Sequence, residues 1–197
     1  MANILILVEF RLKAEIGRGG IARMLKILIV EDEPLLANTL RYMIELNPRY
    51  QVIAVAQDQQ SALAAVEERT PDLALVDLHL ANGSTGFSVA AKLSELGVAC
   101  LFATGKAPGF PMPDLALGCL MKPFTEEDLV RTLKTAEDML RGRERLRPSL
   151  PQALQLYSAD DEPEEPPHHS ATAWLPAFVA PKRSLKSRIS GWAFARR

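Results

Sequence analysis

The chain is poor in the residues that staple or metallate small proteins. Its 197 residues include two cysteines, Cys100 and Cys119, and three histidines. Two cysteines cannot build a disulfide framework, and neither sits in a C-x-x-C or Cys/His spacing that would hold zinc. That usage fits a reducing compartment, and a cytoplasmic location is expected. Charge of one sign is lacking as well: 23 basic residues face 24 acidic ones, a net charge of -1. Bulk electrostatics therefore gives no reason to expect a nucleic-acid or membrane partner. Long hydrophobic runs are missing too. The longest near the N-terminus, Ile4 to Val8, is followed at once by Glu9. It falls far short of the roughly 18 apolar residues of a membrane span, and no basic stretch precedes it as in a secretory signal.

What is present is an ordinary globular composition, 48% hydrophobic and 24% charged, in a length that suits one domain with a substantial core. Proline is unevenly spread, with seven of the fourteen between Pro148 and Pro181. The acidic, proline-rich segment 158–170 has the composition of a chain that cannot bury enough apolar surface to order itself. Three regions are expected: an extension over 1–23, a folded domain over 24–141, and a tail over 142–197, largely disordered. Met24 stands directly before the first strong apolar run, so residues 1–23 are read as preceding the native start; the alternative is an extra edge strand at Ile4–Val8. Residues 181–197 carry six basic residues and no acid. They read as a solvated tail, with an amphipathic helix through Leu185, Ile189 and Trp192 as the alternative. His168 and His169 have no further ligands near them in sequence and read as solvated residues.

Within 24–141, apolar runs alternate with helix-period segments. Lys26–Val30, Val52–Ala56, Leu73–Val76, Val98–Phe102 and Cys119–Met121 show no polar alternation, as expected of strands covered on both faces of a parallel sheet. Between them apolar residues recur at helical spacing: Leu36, Leu40, Met43 and Ile44; Leu63 and Val66; Val89, Leu93 and Leu96; Leu129, Leu133, Ala136 and Leu140. Pro34 suits a first helical turn, and Thr125 followed by Glu126, Glu127 and Asp128 suits a capped helix start. This order predicts a doubly wound α/β fold with a five-stranded parallel sheet. From Thr104 to Gly118 three prolines and three glycines limit the fourth helix to a turn or two.

The stretch LFATGKAPG at 101–109 pairs Gly105 with Lys106 after a strand, as half of a phosphate-binding loop does. The other half fails: no glycine stands five residues before Gly105, Ala107 replaces the required hydroxyl residue, and Pro108, Pro111 and Pro113 deny the following helix. In an open α/β sheet, ligands gather beyond the carboxyl ends of the strands. There this sequence delivers Glu31 and Asp32 after strand 1, Asp77 after strand 3, Thr104 after strand 4 and Lys122 after strand 5. Carboxylates brought to one edge repel. A hard cation such as Mg2+ relieves that repulsion through one or two carboxylates and retained waters. Lys122 and the Thr104 hydroxyl could then hold phosphoryl oxygens.

With KILIVEDEP at 26–34, LALVDLHL at 73–80, FATG at 102–105 and MKPF at 121–124, residues 25–140 resemble the receiver domain of bacterial two-component response regulators. The resemblance implies that Asp77 accepts a phosphoryl group from a sensor histidine kinase. It implies Mg2+ on Asp32, Asp77, the backbone carbonyl of His79 and, through water, Glu31, with Thr104 and Lys122 on the phosphoryl group. His79 and Lys106, two residues after Asp77 and Thr104, stand where the family tunes phosphoryl lifetime; both also read simply as solvated loop residues. Two departures stand out: Cys119 occupies the place of an aromatic switch residue, and the fourth helix is reduced. Both resemble a subgroup with a Phe-Ala-Thr-Gly-x-Tyr motif, matched here by Phe102, Ala103, Thr104 and Gly105 but not by Ala107. That subgroup implies a single-domain regulator of an alphaproteobacterium, often served by HWE-type kinases in stress signalling.

The resulting expectation is a non-enzymatic phosphoacceptor that switches protein contacts, with a phosphorylation-dependent dimer as one form of output. A phosphate sink or relay intermediate fits the same residues. A transcription factor would need a DNA-binding module after residue 141, and the proline-broken tail shows no pair of amphipathic helices with a tight turn. A phosphatase would need a second acid near Asp77, where His79 stands instead.

Overall fold

The computed structural model describes residues 23–80, 83–143 and 150–158. The readings made for 1–22 and for 159–197, the histidine pair and the basic tail included, lie outside the described residues. The chain divides into two units, 1–163 and 164–197, and the described residues lie in the first.

The described residues form six strands and four helices, in the order β1 (Leu25–Val30), α1 (Pro34–Glu45), β2 (Tyr50–Ala56), α2 (Gln59–Glu68), β3 (Leu73–Val76), α3 (Gly86–Glu95), β4 (Ala99–Thr104), β5 (Gly118–Met121), α4 (Glu126–Leu140) and β6 (Leu154–Leu156). The sheet order is β2-β1-β3-β4-β5-β6. The first five strands are parallel neighbours and β6 runs antiparallel to β5.

The apolar runs become strands because both faces of the sheet are covered. Along β1, Leu25, Ile27 and Ile29 point into one layer with Ala37, Leu40 and Ile44 of α1 and Leu129, Leu133 and Ala136 of α4. Leu28 and Val30 point into the other, with Ala62 and Val66 of α2 and Val89, Ala90 and Leu93 of α3. Successive strand side chains alternate between faces, so a run without polar alternation is what two covered faces require. Pro34 opens α1, and Thr125 with Asp128 forms a reciprocal capping box on α4, each supplying or sparing an amide the first turn leaves unpaired. Leu96, expected on the buried face, lies beyond α3 and is 49% exposed, because the helix ends at Glu95 and Gly97 turns the chain with a φ of 74°.

Two features correct the sequence reading. The sheet has six strands, not five, and the sixth lies beyond residue 141, where the folded part was expected to end. Leu154 and Tyr157 are buried, Leu154 and Leu156 extend the α1/α4 layer, and Tyr157 joins the other. A three-residue strand between proline-rich segments is too short to carry a periodic signal. The fourth connection, 105–117, contains no helix at all; turns, bends and irregular chain span it, as its prolines and glycines dictate.

Candidate functional site

The C-terminal ends of β1, β3, β4 and β5 bring together the side chains singled out in the sequence. Glu31 follows β1 and is 3% exposed. Its Oε1 accepts from the Glu33 amide at 3.3 Å, and its Oε2 from Lys122 Nζ at 2.7 Å. Asp77 follows β3. Its Oδ2 accepts from the same Lys122 Nζ at 2.7 Å, and its Oδ1 from the His79 amide at 3.0 Å. One ammonium therefore clamps two carboxylates from separate strands.

The electrostatics follow from that arrangement. Burial raises the Glu31 pKa, and Asp77 adds to the rise, while the hydrogen bond and charge of Lys122 oppose it without cancelling it. Burial acts to lower the Lys122 pKa, but its bonds to Asp77 and Glu31 together outweigh burial and leave it raised. Lys122 is held as a cation, at the end of a strand and before a cis peptide bond to Pro123.

Thr104 closes β4 and is wholly buried. Its hydroxyl lies 3.3 Å from His79 Nδ1 and 3.4 Å from the amide nitrogen of Lys106. His79 thus touches Asp77 through its amide and Thr104 through its ring. The Lys106 side chain is exposed beside this group, and Asp32 is partly exposed next to Glu31. Cys119 is buried in β5, paired with Phe102 of β4.

Among the described residues, no three acidic, histidine or cysteine side chains stand grouped as a ready metal cage. The donors fit Mg2+ by their chemistry. They are hard carboxylate oxygens, and that ion needs only one or two carboxylates beside waters.

Sequence reasoning missed Gly86, the first residue of α3. A Cβ there would lie 2.6 Å from Leu78 Cα and closer still to the Asp77 carbonyl oxygen. The glycine lets α3 pack directly against the loop that carries Asp77. Its signal was a glycine directly after Thr85, whose side chain caps the helix.

Solved structures share this fold. A CheY-like response regulator receiver domain from Methanospirillum hungatei aligns with a TM-score of 0.54 and 25% identity, covering 60% of this chain and 98% of that one. The fold is therefore the flavodoxin-like α/β fold of receivers. The family model for the response regulator receiver domain matches residues 27–134, and the chain belongs to that family. Among curated relatives, the sensory transduction protein LytT of Bacillus cereus is 33% identical over 117 residues, 56% of this chain and 46% of that protein. The DNA-binding response regulator MtrA of Mycolicibacterium smegmatis is 32% identical over 148 residues, 75% of this chain and 61% of that protein. The chain spans about half the length of the first of these relatives. It carries the receiver domain of a two-component response regulator, a phosphoacceptor signalling module of a kind that generally is not a classical enzyme, binds Mg2+ at its phosphorylation site and is phosphorylated by sensor histidine kinases. Among the described residues, no helix is long and apolar enough to cross a membrane.

Proposed function

We propose that Asp77 takes a phosphoryl group from the phosphohistidine of a sensor histidine kinase and that the protein passes the change on through protein contacts. The observation that carries this reading is the Lys122 ammonium, 2.7 Å from both Asp77 Oδ2 and Glu31 Oε2, with His79 joining Asp77 to the buried Thr104 hydroxyl. A carboxylate oxygen of Asp77 bonds to phosphorus as the phosphorus–nitrogen bond breaks, and the electron pair leaves with the imidazole. Lys122 holds the negative charge that gathers at the acceptor, and the Thr104 hydroxyl turns to donate to a phosphoryl oxygen. Glu31, Asp32, Asp77 and the His79 carbonyl would hold Mg2+, which when bound supplies charge compensation for the phosphoryl oxygens.

The helix-free 105–117 connection and the small Cys119 side chain support the Phe-Ala-Thr-Gly-x-Tyr subgroup. With it comes a single-domain regulator that an HWE-type kinase serves. In this reading the departure of the Thr104 hydroxyl reorders 105–117 and alters the surface shown to a partner, a second copy included. Kinase docking has a matching surface: Leu35 and Tyr42 of α1 and Leu46 just beyond it are 75%, 68% and 49% exposed. Spacings of seven and four put them on one helix face, which starts three residues after Asp32.

The test is incubation of the full chain and its Asp77→Ala variant with Mg2+ and acetyl phosphate, read by intact-mass spectrometry. A single phosphoryl adduct on the wild type and none on the variant is expected. An unmodified wild type, repeated with candidate kinases, overturns the reading.

A further inference from the structure

Strand β6 is an addition to the five-stranded sheet, and it sits where the site can act on it. It pairs with β5 over Gly118↔Leu156, Cys119↔Gln155 and Leu120↔Leu154. The Met121 amide donates to the Ala153 carbonyl at 2.8 Å, and the Tyr157 amide to the Leu117 carbonyl at 3.0 Å. The approach is close by design of the sequence. A Cβ on Gly118 would lie 3.0 Å from Leu156 Cα and nearer still to the Gln155 carbonyl oxygen, so only glycine lets this strand lie down.

Tyr157 then enters the core. Its ring meets Phe102 edge-on at 6.5 Å, and Phe102 in turn meets Phe87 of α3 at 5.7 Å. The small Cys119 side chain leaves the room that the tyrosine ring fills. The polar end of the ring is weakly held, because the buried Tyr157 hydroxyl has the Cys119 thiol as its neighbour and makes no well-formed hydrogen bond among the described residues; a thiol is a poor hydrogen-bonding group, which weakens docking. A three-residue edge strand with a neighbour on one side only belongs to the least costly parts of a fold to open.

Two routes join it to the site. Thr104 is in register with Met121, whose sulfur lies 3.9 Å from the Cys119 sulfur. The Lys106 amide hangs on the Thr104 hydroxyl, and the 105–117 connection to which Lys106 belongs ends at Leu117, the acceptor for the Tyr157 amide. Moving the Thr104 hydroxyl toward Asp77 would free the Lys106 amide and loosen the connection that ends at Leu117.

We propose that residues 150–158 form a strand latch on the outer edge of β5, closed by Tyr157 while Asp77 is unmodified and released when Asp77 is phosphorylated. The released edge is an open row of β5 backbone groups. The proposal rests on Asp77 being the acceptor.

Hydrogen exchange on the full chain, with and without Mg2+ and acetyl phosphate, tests it, with intact mass read on the same samples. An adduct on Asp77 accompanied by several-fold faster exchange over 153–158 and at Met121 is expected. An adduct with unchanged or slower exchange there overturns the latch and leaves the phosphoacceptor reading standing. No adduct overturns both. Gly118→Val should show the fast exchange without any phosphodonor and, because coupling is reciprocal, a higher steady-state adduct level. Tyr157→Ala, which leaves the backbone approach untouched, should do the same in milder degree. Full protection of 153–158 in both variants would also sink the proposal.

Discussion

The ring of His79 lies against the hydroxyl of Thr104, Nδ1 to Oγ1 at 3.3 Å, while the His79 amide holds Asp77 Oδ1 at 3.0 Å. One residue therefore restrains both the proposed acceptor and the hydroxyl that must turn toward it. Replacing the ring by a methyl group frees Thr104 without disturbing the amide. His79→Ala is expected to change the half-life of the acetyl-phosphate-derived adduct several-fold, with its yield at saturation retained. Identical decay in the two proteins would reduce His79 to a solvated loop residue.

Lys122 neutralises two carboxylates that share its nitrogen. Its side chain is 19% exposed, so its loss should cost less than a fully buried pair, about 1–3 kcal/mol at neutral pH. In Lys122→Ala the deficit should shrink as pH falls through the carboxylate range. Glu31 already has a raised pKa, chiefly from burial, and without the lysine it protonates higher still, which removes the repulsion. Urea titrations at neutral and mildly acid pH decide this, and a pH-independent deficit would contradict it.

Gly86 admits no side chain without moving the Asp77 loop. Gly86→Ala should destabilise the domain by about 1–3 kcal/mol, the usual cost of overpacking, and lower the rate of labelling by acetyl phosphate. Unchanged stability together with unchanged labelling would mean that α3 slides aside freely.

Leu35 and Tyr42 are exposed on α1 and are not among the site residues described above. Leu35→Ala combined with Tyr42→Ala should leave acetyl phosphate labelling intact and slow transfer from the cognate kinase about tenfold, as loss of an interface anchor does. Equal loss with both donors would place the damage in the fold instead.

Alkaline pH should unfold the protein earlier than its composition implies. Burial, reinforced by the Glu137 carboxylate, pushes Tyr50 from 10.0 up to about 12. Burial and the neighbouring Cys119 thiol raise Tyr157, and the two carboxylates raise Lys122 despite burial. In all three the fold favours the protonated form. Their contribution is complete below the unfolded values near 10 and is lost as pH rises toward the folded ones. The denaturation midpoint should therefore fall between about pH 9 and about pH 12, less steeply in Tyr157→Phe.

The parts of this molecule that repeat were legible in sequence. Five apolar runs without polar alternation marked the parallel strands, and acidic, hydroxyl and basic residues at their ends pointed to Glu31, Asp32, Asp77, Thr104 and Lys122 as one group. What escaped depends on close approach, which leaves no periodic trace. Gly86 and Gly118 matter for the side chain they lack, and β6 is three residues long. His79 was read by its place in the chain, while its contact with Thr104 comes from how two loops fold toward each other. The region 105–117 was foreseen as helix-poor from proline and glycine, yet nothing in it announced that its last residue would accept a bond from Tyr157.

The parity of β1 has a consequence for which changes the chain can tolerate. Odd-numbered residues from Leu25 to Ile29 fill one layer and Leu28 and Val30 the other, and the strand ends directly on Glu31. Deleting or inserting a single residue inside it would exchange the layers and shift Glu31 away from Lys122 in the same stroke. An equal change between Gly105 and Met112, where no ladder counts residues, would spare both. Length variation among descendants of this chain should therefore collect in the connection before β5 and stay out of the strand that begins the domain.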